Sequence, residues 1–408
     1  MTKDVPLIIN PFLDLKILKD ESGVKTVTVH APVKGEGLRV TTIDRDREPG
    51  MFGFLVIYCY SVTNGTDVPQ SMTENEREQL TAIGFLVRED QVPNSVTYSC
   101  DFSEEPSNLL PLRARRQSHA STWGDDLIVD PTFHHLGRNA LTPAMRGYKL
   151  SNPFHSGRSW FSVDSGLSAP VFYSYGSEAD TSVGSLTPGQ RVPRNLPSDI
   201  RQKLVEAEVL RVQREIADRH ELMESECAGA HKALLERRYV TLREIIHPIQ
   251  LAAIRRYYRQ LIDEGFVRFG DQEWPNRFFS ARDGLAYFFQ EQLTAVIGEI
   301  VGQKVKPSFC FFASYRPGSD LKAHRDREQC HYALTVLLDH HLAEDVSAWP
   351  IYVQPSYAPE ALPICLGLGD GLLYFGEEVL HYRPLLAEGH STHWFLFWVP
   401  ESFERSLD

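Results

Sequence analysis

Residues 309–399 carry the feature that most restricts how this chain can fold. Six short runs of aromatic and β-branched residues follow one another there: Phe309–Tyr315, His331–Leu338, Trp349–Gln354, Gly371–Phe375, Val379–Arg383 and His393–Val399. Gly, Pro and Asp turns separate them. Runs of this kind are strands. The helical patterns lie ahead of them. After Pro248, the apolar positions Leu251, Ile254, Tyr258, Leu261 and Ile262 predict an amphipathic helix that stops at Gly265. A second helix is predicted over Gly284–Val301, ending at Gly302, and an earlier one over residues 200–223, capped by Asp199. Helices that precede strands, rather than alternating with them, argue against a doubly wound sheet. They favour an α+β chain with a double-sheet barrel or jelly roll.

Upstream the text differs. Residues 1–100 read as a small α+β accessory region, with strands expected at Val27–Val33 and Phe52–Tyr60 and a capping box at Thr73/Glu76. A winged-helix or small peptide-binding module fits this text, and so does a plain scaffold. Residues 101–197 read as a loop-rich region and linker, through Glu105–Asn108, the Arg113–Arg116 cluster and the Ser-, Gly- and Pro-rich stretch 174–197. Trp160, Phe161, Phe172 and Tyr173 imply some ordered packing within it. Residues 198–408 then hold the helices and the barrel.

Three features of the barrel carry chemistry. His324 and Asp326 are two residues apart, so an extended backbone points both to one side. His381 follows 55 residues after Asp326, beyond the turn Gly369-Asp370-Gly371. Two histidines and one carboxylate are the ligand set that holds non-haem Fe(II) and leaves positions open. Arg383 shares a strand face with His381, and a guanidinium aimed into a barrel needs a paired anion such as a carboxylate. The adjacent pairs His134-His135 and His340-His341 aim to opposite faces and read as solvated or structural. Cys330-His331 is unsuited to a thiol–base pair for the same reason.

The segment from Tyr315 to Asp326 (YRPGSDLKAHRD) resembles the Tyr-x-x-Gly-x-x-Leu-x-x-His-x-Asp signature of prolyl-4-hydroxylase-like 2-oxoglutarate- and Fe(II)-dependent oxygenases. Gly369–Gly376 followed by His381 resembles that family's strand and turn before the distal histidine. The resemblance spans roughly residues 236–408. It implies a double-stranded β-helix catalytic domain in which His324, Asp326 and His381 bind Fe(II) and Tyr315 hydrogen-bonds the cosubstrate. It implies a dioxygenase that uses molecular oxygen and 2-oxoglutarate, hydroxylates an unactivated C–H bond and releases succinate and CO2. The carboxylate at Asp326 favours hydroxylation over halogenation, which the family performs with a small residue there. The chain departs from the family at the cosubstrate anchor. Position 391 is serine, and no Lys or Arg lies between Pro384 and Pro400. Arg383 is the expected substitute, with His393 second. Arg316, Lys322, Arg325, Arg327, Trp349, Tyr352 and Arg277 are the candidates for substrate recognition, the substrate being a small molecule, amino acid or peptide.

Composition narrows the classes further. Lys plus Arg is 42 against 54 Asp plus Glu, a net charge of −12, which argues against a non-specific nucleic-acid binder. No apolar run has the ~20 residues a membrane span needs, and no secretory signal pattern opens the chain. The six cysteines have no Cys-x-x-Cys pair, as expected of reduced thiols in a cytoplasmic protein. Residues 1–197 are expected to contact a carrier, a peptide or a second copy of the chain in a homodimer. Two other readings use the same residues: a cupin-like metal barrel that does not use 2-oxoglutarate, and a non-catalytic binding protein.

Overall fold

The computed structural model describes residues 5–60, 72–102, 127–138, 141, 153–154, 158–164, 166–176, 182–270, 275–281, 283–342 and 348–407. Glu105–Asn108, Arg113–Arg116 and part of the stretch 174–197 lie outside the described residues. The chain divides into two compact units, Met1–Thr97 with Ala144–Pro153 and Tyr257–Ser280, and Tyr98–Pro143 with Phe154–Arg256 and Ala281–Asp408.

In the first unit, β1 (Leu7–Ile9), β2 (Asp14–Asp20), β3 (Gly23–Val33) and β4 (Gly37–Asp44) precede α1 (Pro49–Tyr60), α2 (Glu74–Ala82) and β5 (Leu86–Arg88). Strands β2–β3–β4 form one antiparallel sheet, and β1 pairs with β5. Residues 52–60, expected as a strand, are helical. Pro49 sits in the first turn, where its fixed φ favours a helix and its missing N–H costs nothing. Phe52 and Leu55, three apart, then enter the core with Val27, Val29 and Phe85. A short apolar run does not reveal its own period. The capping box forms as expected: Thr73 Oγ1 accepts from Glu76 N, and Glu76 Oε2 accepts from Thr73 N at 2.7 Å.

The second unit opens with β6 (Leu127–Val129), β7 (His134–Arg138), β8 (Ser159–Val163) and β9 (Val171–Tyr175), followed by α3 (Ser198–Glu206), β10 (Leu210–Val212) and α4 (Gln213–Arg237). The single helix expected over residues 200–223 is therefore two helices around a strand. Glu208 takes a left-handed conformation (φ 61), and Leu210–Val212 pair with β6, a tertiary contact that helical spacing cannot register. Next come β11 (Tyr239–Leu242), α5 (Pro248–Asp263), the hairpin β12 (Arg268–Phe269) and β13 (Arg277–Ala281), and α6 (Gly284–Val301). Residues 257–280 of this stretch belong to the first unit. Asp283 caps α6 by accepting from Ala286 N at 2.8 Å, and Gly302 ends it in the left-handed region.

Eight strands follow: β14 (Val305–Tyr315), β15 (Leu321–His324), β16 (Tyr332–His341), β17 (Ile351–Gln354), β18 (Leu362–Ile364), β19 (Gly371–Phe375), β20 (Leu380–Arg383) and β21 (His390–Pro400). Strands β11–β19–β16–β21–β14 run side by side, all antiparallel, and β15–β20–β17–β18 form a second antiparallel sheet. Strand β15 was hidden in sequence because Leu321–His324 has a charged, exposed centre.

Helix α6 covers one face of the larger sheet. Phe289 stacks on Trp394 at 5.1 Å, and Trp398 Nε1 donates to Thr294 Oγ1. Burying aliphatic and aromatic side chains such as Leu293, Ile297 and Ile300 stabilises this layer by about 1.5–3 kcal/mol each. Buried Gln290 satisfies the backbone beneath the helix, donating to the Phe309 and Phe397 carbonyls. The aromatics of residues 98–175 pack on the same helix, with Phe154 and Phe172 each within 5 Å of Phe288. The opposite face of the larger sheet looks toward β15–β20–β17–β18. Tyr374 of β19 reaches His381 of β20, and Tyr315 of β14 packs on Trp349, just ahead of β17.

Candidate metal centre

His324 ends β15 and His381 lies in β20, and the register places them directly opposite each other. Asp326 follows two residues after His324, held by its N–H donating to the Gly376 carbonyl at 2.9 Å. The three ligand atoms of His324, Asp326 and His381 lie within 4.8 Å of one another. Asp326 Oδ1 is 3.4 Å from His324 Nε2 and 3.7 Å from His381 Nε2. Each Nδ1 faces a backbone carbonyl, Lys322 O at 2.7 Å and Val379 O at 3.1 Å. Donation from Nδ1 fixes the tautomer and leaves the Nε2 lone pairs aimed at the shared centre. Burial lowers the His381 pKa, which keeps its imidazole neutral, as a metal requires. The hydrogen bond to Asp326 raises that of His324.

Asp326 Oδ2 is buried and makes no hydrogen bond of good geometry among the described residues. A carboxylate left this way inside a protein is costly unless a cation joins it. The donor set therefore fits a divalent metal with open positions. The Tyr374 hydroxyl lies 3.3 Å from His381 Nε2, and burial followed by the Asp326 charge pushes its pKa well up, so it is a neutral hydrogen-bonding group.

Gly376 lets the chain pass this close. A Cβ there would stand 2.2 Å from the Cys330 carbonyl and 2.9 Å from Asp326 Cβ. Gly376→Ala is expected to destabilise the fold by about 1–3 kcal/mol, the usual cost of overpacking, and to weaken Mn(II) binding by displacing Asp326. Thermal unfolding and metal titration read the two effects; an unchanged metal affinity contradicts the second.

Two residues beyond His381, Arg383 is 2% exposed. Its Nη1 donates to the Trp349 carbonyl at 2.9 Å and its guanidinium lies 5.0 Å from the Trp349 ring centre. Its Nε and Nη2 have no hydrogen-bond partner among the described residues. Burial lowers its pKa to about 10, which still leaves it cationic at neutral pH. Trp349 also packs against Tyr315 and near His393, so Tyr315, Arg383 and His393 share one end of the space between the sheets. His393 differs electrically. Burial, then Arg383, holds its pKa well below the usual range, so it is a neutral imidazole whose Nε2 pairs with Ser391 Oγ at 2.8 Å.

The other candidates disperse. Arg316 donates to Ser314 Oγ, which meets Thr392 Oγ1 on the helix-covered side of the sheet. Lys322 pairs with Asp320, Arg325 donates to Glu378 O, and Tyr352 stacks on Tyr382 on the sheet face opposite His381. Arg277 is a buried residue of the first unit, its guanidinium over Phe279. Arg327 is exposed over the Phe309 ring. Of the histidine pairs, His135 bonds Tyr175, and His341 stands opposite His390 of β21, which itself reaches Asp339, the buried partner of Arg255. Burial pushes the Cys330 thiol to about 12, and His331 turns to Glu377. Tyr374 and Gly376, both beside the ligands, escaped sequence reasoning: within Gly371–Gly376 they read as ordinary strand and turn.

No family model and no curated protein matches the chain. Solved structures do. A Burkholderia pseudomallei oxidoreductase of the 2OG-Fe(II) oxygenase family is 13% identical over 42% of this chain and 89% of its own, with a TM-score of 0.35. A Pseudomonas putida prolyl-4-hydroxylase is 14% identical over 42% of this chain and 98% of its own, with a TM-score of 0.34. HygX from Streptomyces hygroscopicus, solved with nickel, 2-oxoglutarate and hygromycin B, is 13% identical over 43% of this chain and 88% of its own, with a TM-score of 0.35. Among the described residues, no helix is long and apolar enough to cross a membrane.

Proposed function

We propose that the chain is an Fe(II)- and 2-oxoglutarate-dependent dioxygenase. In this reading it hydroxylates an unactivated C–H bond of a small molecule, amino acid or peptide and releases succinate and CO2. One observation carries it: two imidazoles with fixed tautomers and one carboxylate converge on a common centre, within reach of a buried, incompletely paired arginine. Strands β14–β21 form a double-stranded β-helix in the same proposal. Support comes from strand order, since successive strands pass from one sheet to the other at every step except β17 to β18.

His324 Nε2, Asp326 Oδ1 and His381 Nε2 hold the metal. Bound Fe(II) and 2-oxoglutarate supply the oxidising chemistry, and the protein supplies placement. Arg383 offers its Nε and Nη2 donors to the distal carboxylate of the cosubstrate, a bidentate geometry suited to guanidinium. Tyr315 borders that pocket, and His393, being neutral, contributes hydrogen bonds rather than charge. A metal barrel that does without 2-oxoglutarate has no use for those arginine donors, which weighs against the cupin-like alternative. A cytoplasmic location, and a role for residues 1–197 in shaping or delivering substrate, belong to the same proposal.

The test is spectroscopic. Under nitrogen, the Fe(II)-loaded protein should develop a weak visible absorption band on addition of 2-oxoglutarate. Admitting oxygen should then yield succinate. No spectral change at saturating 2-oxoglutarate overturns the reading.

A further inference from the structure

The inner face of the larger sheet carries four phenylalanines in two cross-strand pairs. Phe309 stacks on Phe397 with ring centres 4.5 Å apart, and Phe311 stacks on Phe395 at the same distance. Phe311 and Phe397 lie 5.9 Å apart, which joins the pairs into one wall. Side chains on a sheet stand roughly upright, so rings stacked on each other turn their edges, not their faces, toward the space above. Phe309 and Phe311 are half-buried rather than sealed.

Register ties this wall to the metal ligands. Tyr374, 3.3 Å from His381 Nε2, lies opposite Ala333, and Ala333 lies opposite Phe397. At about 4.8 Å per strand, Phe397 stands roughly 10 Å across the sheet from Tyr374. The next row runs Leu372, Thr335, Phe395, Phe311. Thr335 is 0% exposed, and its hydroxyl has no hydrogen-bond partner among the described residues. An unpartnered hydroxyl within an aromatic wall is a costly feature that a ligand's polar substituent relieves.

We infer that this wall is the substrate-binding surface of the proposed oxygenase and that it takes a planar aromatic or conjugated ring bearing a hydroxyl or carbonyl group. The ring edges are the positive part of the aromatic quadrupole. They therefore attract the negative π face of a flat ligand more than a saturated ring of equal size. Thr335 hydrogen-bonds the ligand's oxygen, and the exposed Arg327, already over Phe309, caps the outer end of the wall. This inference rests on the metal reading for the site's purpose, but its binding chemistry is testable without a metal.

The experiment titrates the full-length, metal-free protein with 2-naphthol and with decahydro-2-naphthol, its saturated counterpart, by calorimetry. Edge-to-face contacts with several rings predict about tenfold tighter binding of 2-naphthol. Phe309→Leu and Phe311→Leu, at half-buried positions that tolerate the change, should each reduce that preference at least severalfold, whereas Tyr352→Leu on the outer face of the smaller sheet should leave it intact. With Mn(II) bound, the protons of bound 2-naphthol should broaden in NMR spectra. Equal affinity for the two probes, an unchanged preference in both folded Phe variants, or no broadening in a protein that carries both Mn(II) and 2-naphthol overturns the inference. Absence of Mn(II) binding by electron paramagnetic resonance is a separate result that counts against the metal reading, while the probe preference still decides the binding chemistry of the wall.

Discussion

Replacing His381 by alanine is expected to weaken Fe(II) binding, or Mn(II) binding as its redox-inactive substitute, by about 10²–10³-fold and to abolish turnover with it. The size follows from the ligand set. Four-ligand structural zinc sites gain about 10–16 kcal/mol, so one ligand contributes roughly 2.5–4 kcal/mol, which is that factor in affinity. His381 is the most buried of the three ligands, and its Nε2 has no other strong partner, so no water or neighbouring side chain readily takes its place. His324→Ala should act in the same direction and less strongly, because its half-exposed position admits water as a substitute ligand. Metal titration followed by electron paramagnetic resonance measures both variants, with circular dichroism to verify folding. Wild-type affinity in folded His381→Ala would remove the metal centre from the proposal altogether.

Arg383→Leu is expected to raise the 2-oxoglutarate concentration needed for half-maximal turnover by roughly 10²–10⁴-fold while leaving metal affinity nearly unchanged. Two charge-assisted hydrogen bonds at about 1.5–3 kcal/mol each set the scale. Stability should move little, or upward. The side chain is buried with two nitrogens unpartnered among the described residues, and replacing a poorly paired buried charge with an apolar residue is often neutral or stabilising. A positioning arginine with only a structural role predicts the reverse: a loss of stability and an unchanged cosubstrate requirement. Arg383→Lys should recover only part of the affinity, since an ammonium group cannot make the planar bidentate contact. His393→Ala should cost less than Arg383→Leu, because a neutral imidazole contributes no charge to the carboxylate. Steady-state kinetics at varied 2-oxoglutarate, with thermal unfolding alongside, separates these outcomes.

Much of the candidate site was legible because its residues obey local rules. His324 and Asp326 are two apart, and His381 and Arg383 are two apart. Period-2 geometry carries each pair to one side wherever the chain is extended, before any tertiary contact is known. Helix α6 was equally plain, with an Asp cap at one end, a glycine at the other and an apolar stripe between. Failures occurred where the deciding contact is distant in sequence. Residues 52–60 are apolar on every side and take helical form in packing on β3 and Phe85. Residues 210–212 leave a helical pattern because β6, more than 80 residues earlier, offers them a partner. Among the basic candidates near the ligands, chain proximity gave no guide to direction: Lys322 and Arg325 face outward beside the very strand that supplies His324.

The sequence by itself determined the candidate ligand types, their pairing in twos, and the α+β class, because residue chemistry and the short periods of helix and strand are local properties. Only the tertiary structure decided that His324 and His381 stand opposite each other, that Tyr374 and Gly376 border them, that Arg383 is buried with donors unfilled, and that four phenylalanines stack into one wall. Those outcomes depend on register between strands whose partners lie up to 95 residues apart and on the closeness of backbones that a missing Cβ allows. Both are settled by how whole sheets pack, which no local pattern encodes.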